Sequence, residues 1–183
     1  MQVKKTAIAG PIEFIPRLFG DPRGVFYETF SARLMQEAGL PADLDWVQDN
    51  QSKSQPGVLR GLHFQKPPHA QAKIVRVAQG RALDVIVDIR RGSPTYGQHV
   101  AVELSAALGN IFYVPVGFAH GFVALEDNTL FLYKCSDYYT PAAEGGLLWN
   151  DPALGIDWGF SGEALVSPKD LILPTLANLE NPF

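Results

Sequence analysis

The chain has 183 residues, 46% hydrophobic and 19% charged; that length fits one ordinary domain, and that balance excludes disorder and collagen-like repeats. Lys plus Arg is 15 against 19 Asp plus Glu, a formal charge of −4, so the chain is a poor general nucleic-acid binder, although a local basic cluster can still grip a small phosphate. Cys135 has no second cysteine to pair with, no apolar core follows Lys4 and Lys5, and no long apolar run occurs, so the expectation is a cytoplasmic domain with no disulfide, secretory signal or membrane span.

The first element expected in chain order is a helix over Ala32–Ala38, with Ser31 as N-cap, Phe30 as a hydrophobic staple, Gly39 past its end and Pro41 as the stop. Strands follow at Val58–Gln65, Lys73–Ala78, Ala82–Ile89, His99–Leu104, Ile111–Val114, Phe118–Leu125 and Thr129–Asp137. Each is rich in β-branched or aromatic residues and bounded by Gly, Pro, Asp or Asn. Gln79–Gly80–Arg81 and Glu126–Asp127–Asn128 read as hairpin turns. After about Thr140 the pattern loosens around Pro141, Pro152, Pro168 and Pro174 into loops and short helices. So many strands in one domain imply an all-β sandwich, jelly roll or barrel. The expected layout is one domain over 1–183, with an arm and short helix over 1–50, a barrel over 51–140 and a packed tail over 141–183.

His63 and His120 each lie in an apolar strand. A lone histidine there is usually a hydrogen-bonded core residue, but two in strands of one barrel point to a site. His69 reads as a loop residue and His99 as a strand-edge residue. Gly109, Pro115, Val116, Gly117 and His120 are spaced as in the second motif of the cupin barrels, with Ala124 where Asn is usual. The first cupin motif is only partly present: Gly57 and His63 fit, but Gln65 replaces its second histidine and no Glu follows before Gly80. A catalytic metal site needs about three protein ligands, so the resemblance implies a cupin jelly roll, or double-stranded β-helix, with no metal and no cofactor.

Five ordered segments narrow the resemblance: Val58–Gln65, Gln71–Val77, Asp84–Arg90, Ser93–Gly97 and Gly117–Phe122. Together, in a match running from about Gly20 to Asp170, they resemble the dTDP-4-dehydrorhamnose 3,5-epimerase family. That resemblance implies a dTDP-linked 4-keto-6-deoxyhexose as substrate and inversion of both carbons beside its ketone. Such chemistry needs a base, a positive group at the developing oxyanion and an acid on the opposite sugar face. The family pattern makes His63 the base, Asp170 its orienting carboxylate, Lys73 the oxyanion partner and Tyr133 the acid. Read without the family, Asp170 is a solvated loop carboxylate, Lys73 a strand-end lysine reaching solvent, and Tyr133 a core aromatic alternating with Phe131 and Cys135.

For substrate binding, the resemblance implies Arg23, Arg60 and Lys169 at the diphosphate, and Glu28, Gln48, Asp49 and Asn50 near the thymine edges. It puts Tyr139 stacked on the base, Glu144 at a further contact and His120 on the sugar. Each arginine taken singly reads more simply as a surface ion pair. Strict alternation puts Arg60 and His63 on opposite faces of their strand, which a bulge at Gly61 would resolve. Asp84 and Asp88 share a face with Ile86 and read as partners of nearby arginines, a site role being the open alternative. Gly159 follows Trp158 where the family tends to proline. The family is typically a homodimer with exchanged N-terminal arms, so Arg23 and Glu28 could serve the partner's site. Related enzymes invert one centre only; a silent sugar-nucleotide binder and a metal-dependent cupin are the rival readings.

Overall fold

In the computed structural model, which describes residues 1–183, the strands expected between Val58 and Asp137 all form, with ends shifted by at most a residue or two. They are β6 (Val58–Gln65), β7 (Lys73–Gln79), β8 (Arg81–Asp88), β9 (His99–Ser105), β10 (Ile111–Val114), β11 (Phe118–Ala124) and β12 (Thr129–Cys135). Ahead of them lie β1 (Gln2–Lys5), β2 (Ile12–Ile15), β3 (Phe19–Asp21), β4 (Gly24–Phe26), α1 (Ala32–Glu37) and β5 (Gln48–Ser54). β13 (Glu144–Gly146) and β14 (Leu165–Val166) follow, with 3-10 turns at Pro141–Ala143, Asp170–Ile172 and Leu176–Asn178.

Two sheets face each other. One runs β1-β2-β10-β7-β12-β5; the other runs β13-β6-β11-β8-β9, with β14 added to β6. β14 on β6 is parallel and every other pairing is antiparallel. From β5 onward the chain repeatedly changes sheet, which is the jelly-roll wrap. Two expectations are corrected here. Gln79–Gly80–Arg81 joins β7 to β8, and Glu126–Asp127–Asn128 lies between β11 and β12, yet neither pair of strands is hydrogen-bonded. Both segments are corners between sheets. Gly80 (φ +76) and Asn128 (φ +54) supply a left-handed backbone, and a corner needs that as much as a hairpin does.

Burial follows from alternation. β8 is apolar on both faces because both are covered: Ala82 and Ile86 enter the core between the sheets with Phe112, Phe122 and Phe131, while Val85 and Val87 meet Leu147, Leu154 and Trp158 of the tail. Helix α1 covers the outside of the first sheet, Met35 packing with Phe14, Ile74 and Ile111. Its N-cap is Ser31, whose hydroxyl accepts from Leu34 N, and Gly39 beyond it has φ +114.

Asp88 is fully buried and accepts from Arg90 Nε (2.9 Å) and Nη2 (2.7 Å), from Arg90 N, and from the hydroxyls of Ser93 and Thr95 (2.6 Å each). Burial opposes the charge, but these donors hold the carboxyl far below its usual range. A depressed carboxylate stabilises the fold above about pH 4, the unfolded value, and that contribution is lost as pH falls through the folded one. Asp88→Asn is therefore expected to cost about 2–4 kcal/mol at pH 7, with the gap to wild type narrowing below about pH 4, as read by urea unfolding at both pH values.

Candidate active site

The site begins with an extra residue in β6. Opposite β11, His63 faces His120 and Arg60 faces Phe122, so three steps on β6 span two on β11. The irregularity falls at Gly61, whose φ of +125 disfavours any other residue. Arg60 and His63 consequently line the same cavity, of about 1040 Å³, between the sheets. The bulge also turns the Gly61 amide toward Asp170, N to Oδ2 3.3 Å, while Asp170 Oδ1 lies 2.7 Å from His63 Nε2. Burial opposes the Asp170 charge, but hydrogen bonds from His63 and the Gly61 amide hold its pKa below the usual carboxylate range. Asp170 is buried at the start of a 3-10 turn, not solvated on a loop.

Lys73 starts β7 and opens onto the cavity, not onto bulk solvent. Burial pushes its ammonium pKa down, opposed by Cys135, Asp84 and Glu144. Its Nζ lies 6.0 Å from the centroid of the Tyr133 ring. Tyr133 projects inward from β12, and burial raises its phenol pKa. His120 Nε2 lies 2.7 Å from Asp84 Oδ2, and burial pulls the imidazole pKa down despite that carboxylate. Asp84 is thus the partner of a histidine, not of an arginine as its strand position suggested; the arginine reading holds for Asp88. Periodicity could not name the partner of Asp84, because an acidic residue facing a core looks the same whichever cation meets it.

At the mouth, Tyr139 donates its hydroxyl to Glu144 Oε2 (3.1 Å) and Lys169 Nζ binds Glu144 Oε1 (2.7 Å). Gln48 Oε1 accepts from Tyr139 N (2.9 Å), and Gln48 Nε2 donates to Asn50 Oδ1 (3.1 Å). Gln48 and Asn50 alternate along β5 on the cavity side. Asp49, between them, points to the opposite face and pairs with Lys134 Nζ at 2.6 Å, away from the cavity. Arg23 and Glu28 also lie off the cavity of their own chain. Arg23 sits in the β3–β4 turn, paired with Asp21 and largely exposed.

Donors for a metal do not converge. Gln65 spends its carboxamide on backbone groups, and no cluster of three His, Cys, Asp or Glu is placed to hold an ion. What the cavity offers is a histidine–carboxylate pair, an ammonium, a phenol and a neutral imidazole around one space, with cations at its mouth. That set suits proton transfer at carbon beside a carbonyl.

The sequence profile of the family described as dTDP-4-dehydrorhamnose 3,5-epimerase matches residues 5–178. The enzyme of that description from Salmonella typhimurium is 49% identical over 176 residues, covering 96% of each chain. A solved dTDP-6-deoxy-D-glucose-3,5-epimerase from Legionella pneumophila, in complex with dTDP-4-keto-L-rhamnose, superposes with a TM-score of 0.93 at 44% identity, over 98% of this chain and 94% of that one. A 3'-monoepimerase from Streptomyces bikiniensis in complex with dTDP-quinovose gives 0.88 at 36% identity, over 94% and 86%.

Proposed function

The chain belongs to the dTDP-4-dehydrorhamnose 3,5-epimerase family and is an isomerase, and on that premise we propose how its cavity inverts C3 and C5 of a dTDP-linked 4-keto-6-deoxyhexose in dTDP-L-rhamnose biosynthesis. The observation that carries the reading is the His63–Asp170 pair opening on the same space as Lys73 and Tyr133.

Protons beside a ketone are acidic because the carbanion delocalises into an enolate. With Asp170 accepting from the Nε2–H of His63, the neutral ring carries its lone pair on Nδ1, which takes the proton from carbon. Charge moves to the C4 oxygen, where the Lys73 ammonium stabilises it. Tyr133 then gives its phenolic proton to the other face of the carbon; the raised phenol pKa keeps it protonated and able to donate at neutral pH. His63 leaves the step protonated and Tyr133 as phenolate, and exchange with solvent resets both before the second carbon reacts. Arg60 and Lys169 hold the diphosphate by charge-assisted hydrogen bonds. Tyr139 stacks on thymine, with Gln48, Asn50 and Glu144 contacting its edges and neighbouring groups. Asp49, facing away, acts at most through its neighbours on β5.

Incubation with the 4-keto sugar nucleotide in heavy water tests the reading. Deuterium at C3 and C5 supports it, label at one carbon makes the chain a single-centre enzyme, and no label removes the proton-transfer chemistry. Tyr133→Phe should retain exchange within about tenfold while inversion falls by about a hundredfold, because a carbanion without its acid recaptures a proton on the original side. Equal loss of both would make Tyr133 a packing residue.

The active assembly is a cytoplasmic homodimer with exchanged arms, in which Arg23 and Glu28 complete the partner's site. A cytoplasmic setting fits the unpaired thiol of Cys135. Supporting the exchange, β3 and β4 pair only with each other and expose Phe19, Val25 and Phe26, the last to 74%. Soluble chains rarely leave such a patch uncovered. Mixing inactive Arg23→Ala chains with inactive His63→Ala chains should then restore activity to roughly a quarter of wild type, one intact site in half the dimers formed by random pairing. Two lesions acting within one chain would give no recovery.

A further inference from the structure

Gln65 stands two residues after His63, where the metal-binding cupin motif has its second histidine. Its side chain is not idle. The residue is 5% exposed, and its carboxamide makes three hydrogen bonds, all to backbone. Nε2 donates to His69 O (2.7 Å) and Tyr138 O (3.1 Å); Oε1 accepts from Thr140 N (2.7 Å). The segment from Tyr138 to Thr140 belongs to no strand or helix, so no ladder fixes it. Gln65 holds the residues on either side of Tyr139, and Gln48, from the opposite sheet, takes the Tyr139 amide itself. Two glutamines thereby clamp the backbone of the one aromatic ring at the mouth whose hydroxyl also reaches Glu144.

The residue type follows from the partners. Two carbonyls and one amide must be met by a single side chain, and a carboxamide presents two N–H donors and an acceptor. A histidine offers one donor to the two carbonyls. A glutamate would face both carbonyls with acceptors and add a second charge beside Glu144, its cross-strand neighbour.

We propose that Gln65 is a positioning residue for the nucleotide end of the substrate: it sets the Tyr139 ring for stacking and takes no part in proton transfer. This rests on the reading that Tyr139 stacks on the base.

The test is a double-mutant cycle on Gln65→Met and Tyr139→Ala, read by dTDP binding in calorimetry and by kcat and KM. Gln65→Met should weaken dTDP binding and raise KM by roughly tenfold, with kcat within about twofold of wild type. In the Tyr139→Ala background it should add nothing. A fall in kcat at unchanged KM, or a full additional loss in the Tyr139→Ala background, overturns the positioning role. Wild-type dTDP affinity in Gln65→Met beside a weakened Tyr139→Ala overturns it too, leaving the stacking reading intact. Wild-type affinity in Tyr139→Ala overturns the stacking reading and the positioning role together. Should Gln65→Met fail to fold, Gln65→Asn, which withdraws the same amide by one methylene, is read by the same cycle and against the same outcomes.

Discussion

His63→Ala should abolish deuterium incorporation at C3 and at C5 alike, with turnover reduced by about 10³–10⁴-fold, the upper part of what a positioned base contributes. Both carbons flank the same ketone, and one imidazole with one carboxylate partner serves them in turn. The variant should remain folded, because His63 lies at the cavity and its removal leaves space that solvent can fill. The carboxylate left behind keeps the Gly61 amide, and the backbone N–H of Asp170 keeps its bond to Ser167 Oγ. Loss at one carbon only would assign the second deprotonation to another base. His120 would be first in line, since it lies opposite His63 on β11 and carries its own carboxylate, Asp84. Full retention at both carbons would remove His63 from the mechanism. The measurement is an NMR exchange time course on wild type and variant, beside a thermal melt of each.

Gly61→Ala is the second large effect, expected to destabilise the fold by about 3 kcal/mol or more and to remove activity in whatever fraction still folds. Backbone strain is one part: a φ of +125 is open to glycine and hostile to alanine. Contact is the other, because an added Cβ would meet Gly121 Cα at 2.6 Å and His120 O at 2.8 Å. Both are backbone atoms of β11 and cannot swing aside as a flexible side chain would. Relief requires β6 and β11 to separate or the bulge to close. Closing it restores strict alternation, which puts Arg60 and His63 on opposite faces and withdraws the Gly61 amide from Asp170. A variant of wild-type stability and activity would show that the bulge is not what brings those two residues together; urea unfolding and the exchange assay decide it.

The need for that bulge was visible in the chain itself, as a conflict between period two and two residues wanted at one site. Strands rich in Val, Ile and Phe were legible for the same reason: each buries at least one face, so apolar residues recur along it. β5 was invisible to that signal. Gln48–Ser54 is not among the expected strands because its inner face lines a cavity built for a polar guest, so alternation there exchanges one polar residue for another. The resemblance implied Asp49 together with Gln48 and Asn50, and the pleat of β5 turns Asp49 outward to Lys134. Gln65 was noticed as a departure from a motif, and its work became apparent only with three backbone partners around it.

Composition and pattern alone determined an all-β chain of seven main strands with a capped helix before them, and the ordered segments carried the chemistry that the family implies. Local rules suffice there, because alternation, capping and turn preference act over a few residues. Which strands pair, that the expected hairpins are corners between sheets, that Asp84 meets a histidine and that Arg23 is left pointing away from its own cavity depend on groups tens of residues apart. Only the pairing of strands distant in sequence and the packing of one sheet over the other decide where those groups end up.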